Sequence, residues 1–288
     1  MPKLLPAFIA LIVAAASPAF GQTNSAKTAL KRSAPATSNP VKLPSTDTLA
    51  KYSKEPFDLE DKALAPGYAG HSCREIVRKL KPSNPQKDEF ESSAAYAGRV
   101  AHLADDIIYG NITGQSVVAF AAERPLISLT YNADTEDARV NFLTIGSLST
   151  KVGGSYVRSA LIESQSTDNS EYVGENSYGK KVAVRRTSYN ACAVAFANVD
   201  SITRRVALPT SFSFKVPAIY ARTLKDSIGV LYVGPIKQPF LVHYGEYMKP
   251  TIDSPTELIY SGDAIVIHLS KIVLYDTTTG RILDTTEF

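Results

Sequence analysis

KDEFESSAAYAGRVAHLADD, residues 87–106, is the stretch whose reading decides the fold. Phe90, Ala94, Ala97, Ala101, Ala104 and Ile108 fall on one side of a 3.6-residue helix, and Val100, Leu103 and Ile107 widen that side. Asn84 and Pro85 offer an N-cap with proline at the first helical position; Asp88 with Glu91 offers a second start of capping-box form. The pattern predicts one helix over residues 85–108. Alanines line the centre of its apolar side, so the axis can come close to a partner, and the expected partner is a sheet. Glu89, Ser92, Tyr96 and Arg99 stand three and four residues apart on another side. They make either a solvated stripe with an internal ion pair or a recognition face, in which Tyr96 and Arg99 are the candidate binding residues. A shorter helix, residues 73–81, precedes it and stops before Pro82.

Beyond residue 115 the period changes from 3.6 to 2. Residues 116–122, 126–132 and 138–143 are short and β-prone, and the polar turn ADTED joins the last two as a hairpin. Residues 156–162, 181–186, 191–197 and 211–216 read as further strands. Between them, ESQSTDNSEYVGENSYG (residues 163–179) lacks apolar alternation and predicts a long, mobile excursion. Pro217 opens a short helix over residues 218–226, and strands follow at 228–233 and 240–247, the latter bounded by Pro235, Pro239 and Pro250. Residues 264–275 read as one long apolar strand that DTTTG returns to residues 281–284. Helices placed before and between strands without βαβ alternation give an α+β class: N-terminal helices packed on a mostly antiparallel β-sheet.

The N-terminus carries an address. Lys3, an apolar run over residues 4–16 and small residues at Ala19 and Gly21 read as a cleaved secretory signal peptide, residues 1–21. Residues 22–62 follow as a leader whose first part, to residue 50, has no aromatic residue and is rich in Ser, Thr, Ala, Pro and Lys; such composition cannot offset its ordering entropy. Tyr52, Phe57 and Leu59 are the first residues able to dock onto a core. Residues 63–288 suit one globular domain. No later run is long enough to span a bilayer as a helix. The formal net charge is only +3, one unit of it from Lys3, which gives no reason to expect nucleic acid as a partner. The expected location is the periplasm or the secreted fraction.

The segments KDEFES, VPAIYARTLKDSIGVLYVG (216–234), YMKPTIDSPTE (247–257) and KIVLYDTTTGRIL (271–283) resemble elements of a family of uncharacterised exported bacterial proteins, in which a Lys-Asp-Glu-Phe-Glu helix precedes a β-rich domain. The resemblance runs from about Lys87 onward with gaps through 140–200. It implies export and a recurrent domain, and it carries no assigned activity or catalytic residue.

The chemistry of the chain is sparse. Cys73 and Cys192 are an even pair, and in an oxidising compartment they predict one disulfide. The rival reading is a reactive thiol at Cys73, which opens a helix in GHSCRE with His71 nearby. The four histidines show no metal-ligand spacing; His102 beside Asp105 and Asp106 reads as a surface pair, and His268 as a core histidine within an apolar strand. No nucleophile elbow, phosphate loop or dinucleotide fingerprint is present, and no cofactor or metal is expected. Asp253, with Glu257 or Glu246, is the one conceivable carboxylate pair. The favoured function is non-catalytic binding in the cell envelope, with Tyr172 and Tyr178 of the 163–180 segment contacting a protein, peptide or glycan. The alternative is an envelope hydrolase with dispersed carboxylates or a Cys73-based site.

Overall fold

The structure, a computed structural model, describes residues 51–83, 86–142, 150–201 and 208–288. The expected signal peptide, the leader up to residue 50 and the Asn84-Pro85 cap lie outside the described residues. Helix α1 is Cys73–Leu80, α2 Ser93–Val100 and α3 Ala218–Ser227. The strands are β1 Ile107–Tyr109, β2 Ile112–Thr113, β3 Val117–Ala121, β4 Ile127–Asn132, β5 Asp137–Phe142, β6 Lys151–Val152, β7 Ser155–Glu175, β8 Lys181–Asp200, β9 Ser211–Lys215, β10 Ile228–Met248, β11 Thr256–Ile267, β12 Lys271–Asp276 and β13 Ile282–Glu287.

Strand therefore dominates, and the α+β class with a layer of N-terminal helices on the sheet is incorrect. Among the described residues only three short α-helices occur. The long helix over 85–108 is replaced by the eight residues of α2, a 3₁₀ turn at Ala101–Ala104 and the strand β1. Ser92 is the actual N-cap, its hydroxyl accepting from the Ala95 N–H at 3.1 Å. Ala94, Ala97 and Ala101 are exposed, Phe90 is 90% exposed, and burial falls on Val100 and Leu103. The alanine periodicity was a helix signal without enough apolar area to drive packing, since an alanine stripe buries little surface per residue. Helix α1 does pack. Ser72 caps it, Glu75 lies in its first turn, Arg78 and Lys79 in its last, and Cys73, Ile76 and Leu80 are buried.

The central sheet runs β13-β12-β10-β11-β8-β7-β6, with β3 also on β10. Its pairs are antiparallel except β11 with β8, which run parallel over Thr256 to Ile267 against Arg185 to Phe196. A separate sheet, β4-β5-β9, contains the 127–142 hairpin. Strand β10 passes straight through Pro235 and Pro239, which sequence reading takes as boundaries. Its first half pairs with β12 on one edge and β3 on the other; its second half pairs with β11. The register slips between Ile236 and Leu241, and prolines are tolerated where a ladder is interrupted in this way. The predicted 264–275 strand is two, β11 and β12, separated by residues 268–270. His268 is exposed in that turn, not a core histidine.

Residues 51–70 lie along the first half of the sheet. Phe57 N–H donates to the Val117 carbonyl and Leu64 N–H to Gly280, each within 2.9 Å, and Phe57 and Leu64 are buried against Leu231, Val233 and Tyr275. His71 fastens this segment. Its Nδ1 accepts from the Ala119 N–H at 2.8 Å, and its Nε2–H donates to the Glu55 carbonyl at 2.8 Å. Burial lowers its pKa, opposed by the hydrogen bonds to the Glu55 and Ala119 backbone. Because the folded value lies below the unfolded one near 6.5, the folded state prefers the neutral ring. The unfolded chain then binds more protons as pH falls. Stability from His71 is complete above that pH and is lost below it. In denaturant titrations between pH 7 and pH 5, the wild type should lose stability more steeply than His71→Gln; parallel slopes would remove the claim.

Candidate functional site

The most exposed architecture in the molecule is the β7–β8 hairpin. Strands of 21 and 20 residues, against five or six in an ordinary strand, reach roughly 65 Å. Their inner halves belong to the core, with residues 159–162 and 191–196 buried. Their outer halves leave it: residues 165–173 of β7 are exposed without interruption, on both faces of the strand. The segment that reads as a mobile excursion is thus regular strand. A strand wet on both faces has no apolar alternation to display, which is why pattern reading misses it.

The outer hairpin does not stand alone. Thr256 at the start of β11 lies opposite Arg185, and Tyr247 near the end of β10 lies opposite Ile259. The result is a four-stranded wing, β10-β11-β8-β7. One carboxylate is buried in it. Glu257, 7% exposed, accepts from the Tyr247 hydroxyl at 2.8 Å, and Arg186 Nε is 3.9 Å from its other oxygen. Tyr172, on β7, lies close enough to feel its charge. Both phenols are held above their ordinary pKa, Tyr247 chiefly by the bond to Glu257 and Tyr172 chiefly by desolvation. Glu257 therefore fixes the Tyr247 ring. Its neighbours are hydroxyls and a guanidinium, not the second carboxylate a hydrolytic pair requires; Asp253 is exposed in the 250–255 turn.

The hairpin tip is built in the same spirit. Asn176 Oδ1 accepts from the backbone N–H groups of Tyr178 (3.0 Å) and Lys180 (2.9 Å), and Gly179 takes a positive φ of 77°. The turn is fastened while the Tyr178 ring, 94% exposed, projects from it. Tyr172, Val173, Tyr178, Tyr247 and Met248 are five of the eight large apolar side chains exposed among the described residues. Scattered exposure is ordinary, but concentration at one extremity is not. Sequence reading singled out Tyr172 and Tyr178; it missed Tyr247, Met248 and the Glu257 lock, because they come from strands distant in sequence.

Tyr96 and Arg99 sit elsewhere, on α2. Arg99 grips Glu91 with two contacts of 2.8 Å and donates to the carbonyls of Ser83 and Gln86, so its guanidinium holds these three residues against the helix. The ring of Tyr96 lies 5.6 Å below that guanidinium and is half-buried. The structure places the four predicted binding residues in two separate regions.

Cys73 and Cys192 form a disulfide that ties α1 to β8. Both are buried, and the described residues contain no free cysteine, so a Cys73 nucleophile is ruled out. Among the described residues no helix is long and apolar enough to cross a membrane, and no three His, Cys, Asp or Glu side chains gather in a way that could hold a metal ion. His102 pairs with Asp106 at 3.6 Å on the surface. The chain matches no protein-family model, no curated protein and no solved structure.

The disulfide spans a sequence separation of 119. Closing so long a loop restricts the unfolded chain, and replacing both cysteines by alanine should cost about 2–5 kcal/mol. Urea unfolding of the double variant measures it; an unchanged midpoint would show that the bond adds nothing.

Proposed function

We propose that this is an exported, non-catalytic interaction protein of the cell envelope that engages its partner through the outer end of the β7–β8 wing. The observation that carries the reading is the gathering of Tyr172, Val173, Tyr178, Tyr247 and Met248, all exposed, at an extremity outside the three buried clusters. Tyrosine is the side chain best suited to such a surface. It offers a large apolar face, a hydroxyl and few rotors to immobilise. The ring at 247 is already held by Glu257, and the turn beneath Tyr178 by Asn176, so less ordering is needed on binding. A partner protein, peptide or glycan fits these features. Export is supported by the N-terminal sequence pattern and by the disulfide, which persists in oxidising compartments.

The test uses envelope extract and four baits: the wild type, Tyr172→Ser with Tyr178→Ser, Tyr247→Ser, and Ile219→Ser, an exposed apolar residue on α3 outside the wing. A discrete partner should be retained by the wild type and by Ile219→Ser, and be reduced about tenfold or more by the tyrosine variants. Equal recovery by all four baits, or recovery of nothing above background, would overturn the reading.

A further inference from the structure

We propose that a second, separate site lies between α2, the β6–β7 turn and the bend of β10, and that it takes a small apolar monoanion: one carboxylate or phosphate head on an apolar body. The cavity there encloses about 450 Å³, within the range of small-molecule sites. Its walls are apolar. Leu241 and Val242 form part of them from β10, Pro239 from the point where β10 changes partners, Val152 from β6, and the ring of Tyr96 from α2. Pro239 lies within the register slip between Ile236 and Leu241, where the ladder of β10 with β11 is interrupted.

The charges around this cavity have one sign. Among the described residues the ionisable groups that line it besides Tyr96 are Lys87, Lys151 and His243, and no carboxylate lines it. Asp263, opposite His243 in the ladder, is engaged by Lys81 at 2.9 Å. Lys181 and Lys215 elsewhere on the surface also lie beside carboxylates. Lys87 and Lys151 make no ion pair among the described residues: Lys87 Nζ, near enough to Glu91 to help lower its pKa, donates to the Ser93 hydroxyl at 3.1 Å, and Lys151 Nζ rests 4.6 Å from the centre of the Tyr156 ring. Two ammonium groups without an ion pair among the described residues, set at an apolar cavity, match an anionic head whose apolar body enters it. A charge-assisted bond to either lysine supplies orientation, and the apolar wall supplies burial. A neutral ligand would leave both amines unused, and a cationic one would meet them.

The experiment is calorimetric titration of the full-length protein with dodecanoate, 2-naphthoate, dodecanol and dodecylamine, each below its aggregation concentration. At least one acid should bind one to one, the alcohol about tenfold or more weaker, and the amine not at all. Dodecanoate alone would assign a lipid-derived acid, and naphthoate alone an aromatic acid. Lys87→Gln combined with Lys151→Gln should weaken acid binding by about tenfold or more while leaving the alcohol unchanged. Val152→Trp, which narrows the cavity, should weaken both. Equal affinity for acid and alcohol, acid binding indifferent to the lysine variant, or no saturable binding by either acid would overturn the proposal. Should the Val152 variant fail to fold, the charge series on the unaltered protein still decides.

Discussion

Strand β10 is the constraint on which the rest of the structure depends. Its 21 residues serve two stretches of sheet in succession. Because side chains alternate across a strand, each buried cluster draws on it. Val230, Tyr232 and Ile236 enter the largest cluster, Leu231 and Val233 the one covered by residues 57–64, and Val242 and Tyr244 the third. Gly234 lets the His268 carbonyl approach so closely that a Cβ would stand 1.9 Å from its oxygen. The turn between β11 and β12 is thereby pressed against the point where β10 begins to change partners. Both candidate sites derive from this strand. Its bend supplies a wall of the cavity, and its last residues supply Tyr247 and Met248 to the wing.

The wing extends the core sheet outward, in unbroken strands. Strand β8 is held on one side by β7 and on the other by β11, so the hairpin is supported over its outer half as well as its inner one. Support of this kind explains how a strand with nine successive exposed residues keeps its ladder across the register shift between Ser166 and Asp168: its order comes from backbone pairing and from the Tyr247–Glu257 bond, with little help from apolar burial. The surface it carries is held in place before any partner arrives.

Much of the strand content was legible in the sequence. The 127–142 hairpin, the helix at Cys73–Leu80, the helix after Pro217 and the pairing of Cys73 with Cys192 follow from alternation, capping, proline placement and cysteine count. Three things were not legible. The alanine stripe of residues 94–101 carries the period of a helix but not the apolar area that would make a long one pack. Residues 165–173 are solvated on both faces, so they show no period at all. Pro235 and Pro239 look like strand ends, and only tertiary structure reveals that β10 exchanges partners there. Of the wing, Tyr172 and Tyr178 could be nominated from exposure-prone sequence alone. Glu257 could not, since nothing local says that this carboxylate will be buried and receive the Tyr247 phenol. A buried acid paired with a tyrosine is a tertiary property.

The central claim is that the outer β7–β8 wing is a rigid continuation of the core sheet. Hydrogen exchange of the amides in residues 182–188 tests it most directly, because these lie between β7 and β11. The account predicts protection of consecutive amides from 185 to 188, where both edges are paired, and of alternate amides over 182–184, lost when Glu257 is replaced by alanine, while the amides of 191–196 keep theirs. Exchange of 182–188 at the rate of an unstructured peptide in the unaltered protein would contradict it.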